Sequence, residues 1–174
     1  MNPKNSNLSG LRREIDDIDN ALHDLLMRRA SVVERVKDLK QTGGGVIFRP
    51  GREAEILRRL AGRHSGSLSR DVVVRVWREL MSAFVSLQGP FVVSVWDTGE
   101  IGCWDVARDH FGTETTMTRH KSADAVLHAI AEGSATVGVL PLPQDGEADP
   151  WWPALATGQD KRLQICVFPK RDSN

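Results

Sequence analysis

A helical first half followed by a small α/β module is the architecture predicted by this 174-residue sequence, on three observations. From Leu8 to Gln88 the apolar residues recur at steps of three and four, the period of a helix face. After Pro90 short apolar runs alternate with helix-like stretches, the mark of an α/β arrangement. The charge also divides: residues 1–89 hold 16 Lys/Arg against 11 Asp/Glu, and residues 90–174 hold 7 against 12, within a formal net charge of zero. The boundary is placed between residues 89 and 90.

The first helix carries Leu11, Ile15, Ile18, Leu22, Leu25, Leu26, Val33 and Val36 on one face, with no proline or glycine from Leu11 to Thr42. About 30 residues of helix span roughly 45 Å, more than the width of a compact small domain. An apolar seam that long predicts a second copy as its partner, hence a helical homodimer. Gly43, Gly44 and Gly45 stop the helix, and Pro50 suits the first turn of the next, which carries Ile56, Leu57 and Leu60 and frays in "GRHSGS". Ser69 is the expected N-cap of a third helix running through Val72, Val73, Val76, Leu80, Phe84 and Leu87 to "QGP".

In the second half, "FVVSVW", "TTMTRH", "ATVGVLPLP" and "LQICVF" read as strands, and "CWDVARDHFG" and "SADAVLHAIAEG" as helices. "PQDGEADP" is an exposed loop. Trp151 and Trp152 are expected to cap the small sheet. His110, His120 and His128 lack the partners of a metal site, and Cys103 and Cys166, far apart and outside any CxxC, read as free core thiols.

Composition excludes several function classes. The hydrophobic content of 40% supports a core. No apolar run approaches the roughly 18 residues of a membrane span, and the first residues lack the apolar stretch of a signal peptide, so a cytoplasmic protein with no membrane role is expected. The cations of the first half are interleaved with acids, which argues against a nucleic-acid stripe and fits a small anionic ligand at least as well.

Extending the first helix's seam gives slots at 22, 26, 29, 33, 36 and 40, and two of these are Arg29 and Lys40. Eleven residues return a helix to within roughly 20° of the same face, so both cations point where leucines point. In the third helix Trp77, Met81, Phe84 and Gln88 share a stripe whose last member is polar. Cations in an apolar seam call for an anion or an opening, because a buried unpaired charge costs several kcal/mol. Snorkelling of Arg29, a frayed helix end at Lys40 and a solvated terminus at Gln88 account for the same residues. Helix dipole and surface likewise suffice for Glu53 and Arg52, so residue chemistry alone leaves both readings open.

The stretches "LRREIDDIDNALHDLLMRRASVVERVKDLK", "REAEILRRL" and "VWRELMSAFVSLQ" resemble the all-helical chorismate mutases. Shared elements are the Leu-Arg-x-x-Ile-Asp-x-Ile-Asp start, an Arg seventeen residues on, a Lys eleven further, the Arg-Glu pair opening the second helix and the terminal Gln. The resemblance implies an intertwined three-helix homodimer. Its site would be lined by Arg29, Lys40, Arg52, Glu53 and Gln88 of one chain, with Arg12 entering from the other. The implied reaction, chorismate to prephenate, is an intramolecular pericyclic rearrangement that needs no cofactor, metal or nucleophile. The family's mechanism has Arg12 and Arg29 clamp the two carboxylates, Lys40 and Gln88 donate to the ether oxygen, Glu53 meet the hydroxyl and Arg52 serve the anionic end. Two positions depart from the pattern: Arg49 stands where an acidic residue is usual, and Phe84 where a small hydroxyl residue is usual, so Phe84 is expected to reshape the pocket.

Residues 91–141 are similar, more loosely, to the first lobe of prephenate dehydratases, through "FVVSVW", "ARDHFG" and "DAVLHAIAEGSATVGVLPL". The Thr-Arg-Phe motif of those enzymes is missing; Thr118-Arg119 is followed by His120. Dehydratase activity is therefore not expected. Two other readings use the same residues: an isochorismate pyruvate-lyase on the same fold, and a catalytically weak regulatory module binding an aromatic amino acid or a pathway enzyme.

Overall fold

The computed structural model describes residues 3–43, 46–97, 99, 102–143 and 150–153. In chain order the elements are α1 (Pro3–Gly43), α2 (Pro50–Arg63), α3 (Arg70–Gln88), β1 (Val92–Trp96), α4 (Cys103–Phe111), β2 (Thr116–His120), α5 (Ala123–Ala131) and β3 (Val137–Val139). Both expected halves of the pattern appear, helices first and then strands alternating with helices. The "LQICVF" stretch and Cys166 lie outside the described residues.

The chain forms two compact units, Met1–Ile47 with Leu87–Gly89, and Phe48–Ser86 with Pro90–Asn174. The first is dominated by α1. At 41 residues this helix is about 60 Å long, and it starts earlier than the periodicity suggested, running through Gly10. That glycine sits in open space, so its cost is the usual loss of about 1 kcal/mol relative to Ala. Along the apolar seam Leu8, Leu11, Ile15, Ile18, Leu22 and Leu25 are exposed, from 47% at Leu8 to 60% at Leu25, and Val36 is exposed at 39%, whereas Leu26, Arg29, Val33 and Lys40 are half-buried.

In the second unit α2 begins at Pro50, as its fixed φ favours. The Ser69 hydroxyl accepts from the Val72 N–H at 3.3 Å, the N-cap the sequence implied for α3. The sheet is parallel, in the order β2-β1-β3, with Val93 opposite Met117 and Val137. Val93 and Val95 are fully buried and pack with Phe91, Cys103, Ala107 and Phe111. One sheet face is thus covered by α4. On the other, Gly138 allows α5 to lie close, because a Cβ there would stand 2.7 Å from Val126 Cγ1 and Ile130 Cδ1.

Val85 of α3 and Phe48 pack against the core of this sheet. Phe48, just before α2, stacks at tilted angles on Phe91 and Phe111, with ring centroids 5.3 and 5.8 Å away. Polar ties from α3 fix the C-terminal end of α4. The Ser82 hydroxyl bonds with the Phe111 carbonyl and the Thr115 hydroxyl, and the Glu79 carboxylate accepts from the Thr113 N–H at 3.0 Å. Trp151 is half-buried and Trp152 is 50% exposed, so of the expected pair the first alone is substantially covered.

Candidate functional site

Each unit carries part of the predicted set of site residues. Arg12, Arg29, Lys40 and Gln88 belong to the first, and Arg52, Glu53 and Phe84 to the second.

Lys40 is in the last turn of α1, and Gln88 is the last residue of α3. Lys40 Nζ donates to Gln88 Oε1 at 2.8 Å and to the Val46 carbonyl at 3.1 Å. The ammonium thereby takes the oxygen end of the amide and turns its nitrogen end, a donor, outward from the pair. Gly89 leaves room for Ile47 beside it: a Cβ there would meet Ile47 Cδ1 at 2.7 Å. Two groups that sequence spacing placed on apolar stripes therefore meet as a donor pair. Arg29 is half-buried, and burial lowers its pKa from the ordinary value. A guanidinium starts so high that it stays charged at neutral pH. Arg12 is exposed on the open stretch of α1.

In the second unit Arg52 and Glu53 point to different surroundings. Arg52 is exposed and pairs with Glu55 at 3.0 Å, an i,i+3 surface bridge worth little by itself. The Glu53 side chain is 15% exposed. Burial raises its pKa, and the positive charge of Arg78 pulls it partly back. His110 Nε2, from α4, is 3.9 Å from Glu53 Oε1. With Phe48, Arg78, Ser82 and Phe91 these groups line a cavity of about 10 Å³, at the lower limit of the space needed to hold one water molecule. Phe84, in the same unit, is buried at 8% exposure.

Arg78 and His110 were absent from the predicted set. A signal for Arg78 existed: Val74, Arg78, Ser82 and Val85 fall at steps of four, four and three, so a cation and a hydroxyl stand on an apolar stripe of α3. For His110 there was none, since its partner comes from a helix 57 residues earlier in the chain.

Residues 11–89 match the family model described as chorismate mutase type II. This segment, a little under half of the chain, is similar to type II chorismate mutase domains. The likeness to full-length proteins extends past it. The bifunctional chorismate mutase/prephenate dehydratase of Pseudomonas aeruginosa is 32% identical over 145 residues, covering 80% of this chain and 40% of that protein. Its counterpart from Neisseria gonorrhoeae is 33% identical over 136 residues, 78% of this chain and 37% of that protein. The T-protein of Enterobacter agglomerans is 42% identical over 77 residues, 41% of this chain and 21% of that protein. The chain thus spans about 40% of the length of the bifunctional relatives it matches. Among the described residues no helix is long and apolar enough to cross a membrane.

In the α/β part, Thr118 and Arg119 have structural partners. Thr118 Oγ1 lies 3.0 Å from Ser94 Oγ and 3.2 Å from His120 Nε2. Arg119 pairs with Asp97 at 2.8 Å and lies over the Trp104 ring, 4.1 Å from its centroid.

Proposed function

We propose that the chain is a cofactor-free chorismate mutase, converting chorismate to prephenate for phenylalanine and tyrosine synthesis, and that it works in the cytoplasm as a homodimer. The observation that carries this reading is the Lys40–Gln88 pair. The reaction breaks the ether C–O bond as a C–C bond forms, within one molecule and with no net proton transfer. What the protein supplies is a fixed folded conformer and donors aimed at the oxygen on which negative charge grows. An ammonium and an amide nitrogen are such donors at neutral pH, and neither must lose or gain a proton to serve. Arg29, with Arg12 of a second copy, is assigned to the two carboxylates, for which guanidinium geometry is suited. Glu53 is assigned to the substrate hydroxyl and Arg52 to the anionic end. The exposed seam from Leu8 to Leu25 supports the dimer, because a row of large apolar side chains on one helix face marks an association surface.

Chorismate consumption with product identification tests the proposal, with Arg29→Ala measured beside the parent. Prephenate formed by the parent and lost in the variant supports it. Pyruvate release from isochorismate with no prephenate would favour the lyase, and no turnover by a folded dimer would favour the regulatory module.

A further inference from the structure

The group that backs Glu53 comes from the part of the chain beyond the mutase-like segment. We propose that His110 is a positioning residue for Glu53, so that α4 of the α/β module is a working part of the mutase site; this rests on the reading given under Proposed function. His110 follows Pro90 by twenty residues, outside the segment matched to the mutase family. Its side chain is 10% exposed and faces a carboxylate that is itself 15% exposed, with the two polar atoms 3.9 Å apart. A surface encounter of two long side chains would leave both in water. Here the ring is held edge-on to Phe111, with centroids 4.7 Å apart, and Phe111 is packed in the sheet core.

The placement of α4 is itself fixed from α3, through Ser82 to Phe111 and Thr115 and through Glu79 to Thr113. Arg78, one turn before Ser82, is the charged group facing both Glu53 and His110. The carboxylate therefore has a cation from α3 and an imidazole from α4 around it. A shift of about 1 Å in a positioned group is enough to cost up to ~100-fold in rate, so loss of the imidazole wall registers in turnover. The dehydratase-like segment then has a use that requires none of the dehydratase's own chemistry.

The test is a double-mutant cycle on the full chain, read as kcat and KM for chorismate, with His110→Ala and His110→Gln in the parent and in a Glu53→Gln background. In the parent, His110→Ala is expected to lower kcat by about 10- to 100-fold, and His110→Gln, which returns a polar nitrogen near the Nε2 position, to recover most of the loss. In the Glu53→Gln background the same His110→Ala change is expected to cost less than about twofold. An equal loss in both backgrounds, parent-like or raised activity of a folded His110→Ala variant, or failure of His110→Gln to recover activity while folded, would overturn the inference. An arm that needs neither turnover nor a His110 variant is the NMR titration of the His110 ring. Its midpoint should move on Glu53→Gln, and an unmoved midpoint overturns the contact. A parent without mutase activity but with a moved midpoint would remove the mutase reading and, with it, the positioning role, whereas an active parent with an unmoved midpoint removes this inference alone.

Discussion

Lys40 donates to Gln88 across 48 residues of sequence, at 2.8 Å, so the last turn of α1 and the last residue of α3 are joined by one charge-assisted hydrogen bond. In the proposed mechanism both groups serve the ether oxygen. Lys40→Ala is expected to lower kcat/KM by about 10²- to 10³-fold, the usual cost of removing one donor from a developing oxyanion. Gln88→Glu should retain activity in acid and lose it as the new carboxyl ionises, while the parent varies little around neutrality. Rate against pH for the two proteins checks this, and a steep acid optimum in the parent would contradict the role of Gln88.

Arg29 separates function from stability. Its guanidinium is half-buried and desolvated, which makes it an expense to folding and an asset to a dicarboxylate ligand. Arg29→Ala should therefore depress kcat/KM by about 10²-fold or more while leaving the melting temperature unchanged or raised. Arg29→Lys should recover little, because an ammonium lacks the planar two-donor fork. Steady-state kinetics beside thermal melts distinguishes this from a structural arginine, whose loss would lower both.

The open face of α1 gives a prediction about assembly. Ile18 is 53% exposed in the middle of the seam. In the proposed homodimer, Ile18→Asp should give a monomer in sedimentation velocity and abolish turnover, because the Arg12 assigned to the second copy would then be missing. A dimer that survives the aspartate would show that another surface carries the association.

Much of this fold was legible because its signals are local. The 3.6-residue period gave α1, α2 and α3, Pro50 and Ser69 their starts, and the alternation after Pro90 gave β1, α4, β2, α5 and β3. The Lys40–Gln88 pair was legible as two polar residues on apolar stripes, although spacing says nothing of what faces them. Glu53 illustrates the limit. Helix dipole and surface sufficed to explain it, yet it is enclosed by Arg78 and His110. Such packing between α2, α3 and α4 depends on Phe48, Phe91 and Phe111 meeting in one core, and long-range pairing leaves no periodic trace.

Gly112 offers a stability test of that packing. It ends α4 at φ 82°, ψ 171°, a region open essentially to glycine alone, and a Cβ there would lie 2.6 Å from Glu79 Oε2 and 3.3 Å from Ser82 Cβ. Gly112→Ala should cost about 1–3 kcal/mol in backbone strain and loosen the Glu79–Thr113 tie as well. Urea denaturation checks the magnitude. An unchanged midpoint would mean that α4 can end in another conformation without loss.

Acid should reveal the burial of His110 in stability. Burial, and next the positive charge of Arg78, bring the His110 pKa down from 6.5 to about 4. The unfolded chain therefore binds the proton more readily than the folded one between those two values, and stability falls as pH drops through that window, by on the order of 3 kcal/mol at most. Glu53 acts in the opposite sense. Its folded pKa is raised, by burial first with Arg78 partly offsetting, so the folded state gains on acidification from that raised value toward 4.5. The parent should show the difference between the two contributions. His110→Gln removes the first and leaves the second, so between pH 7 and pH 4.5 the variant should lose less stability than the parent. Urea midpoints at the two pH values make the comparison, and equal losses would mean that His110 does not stay neutral in the folded protein.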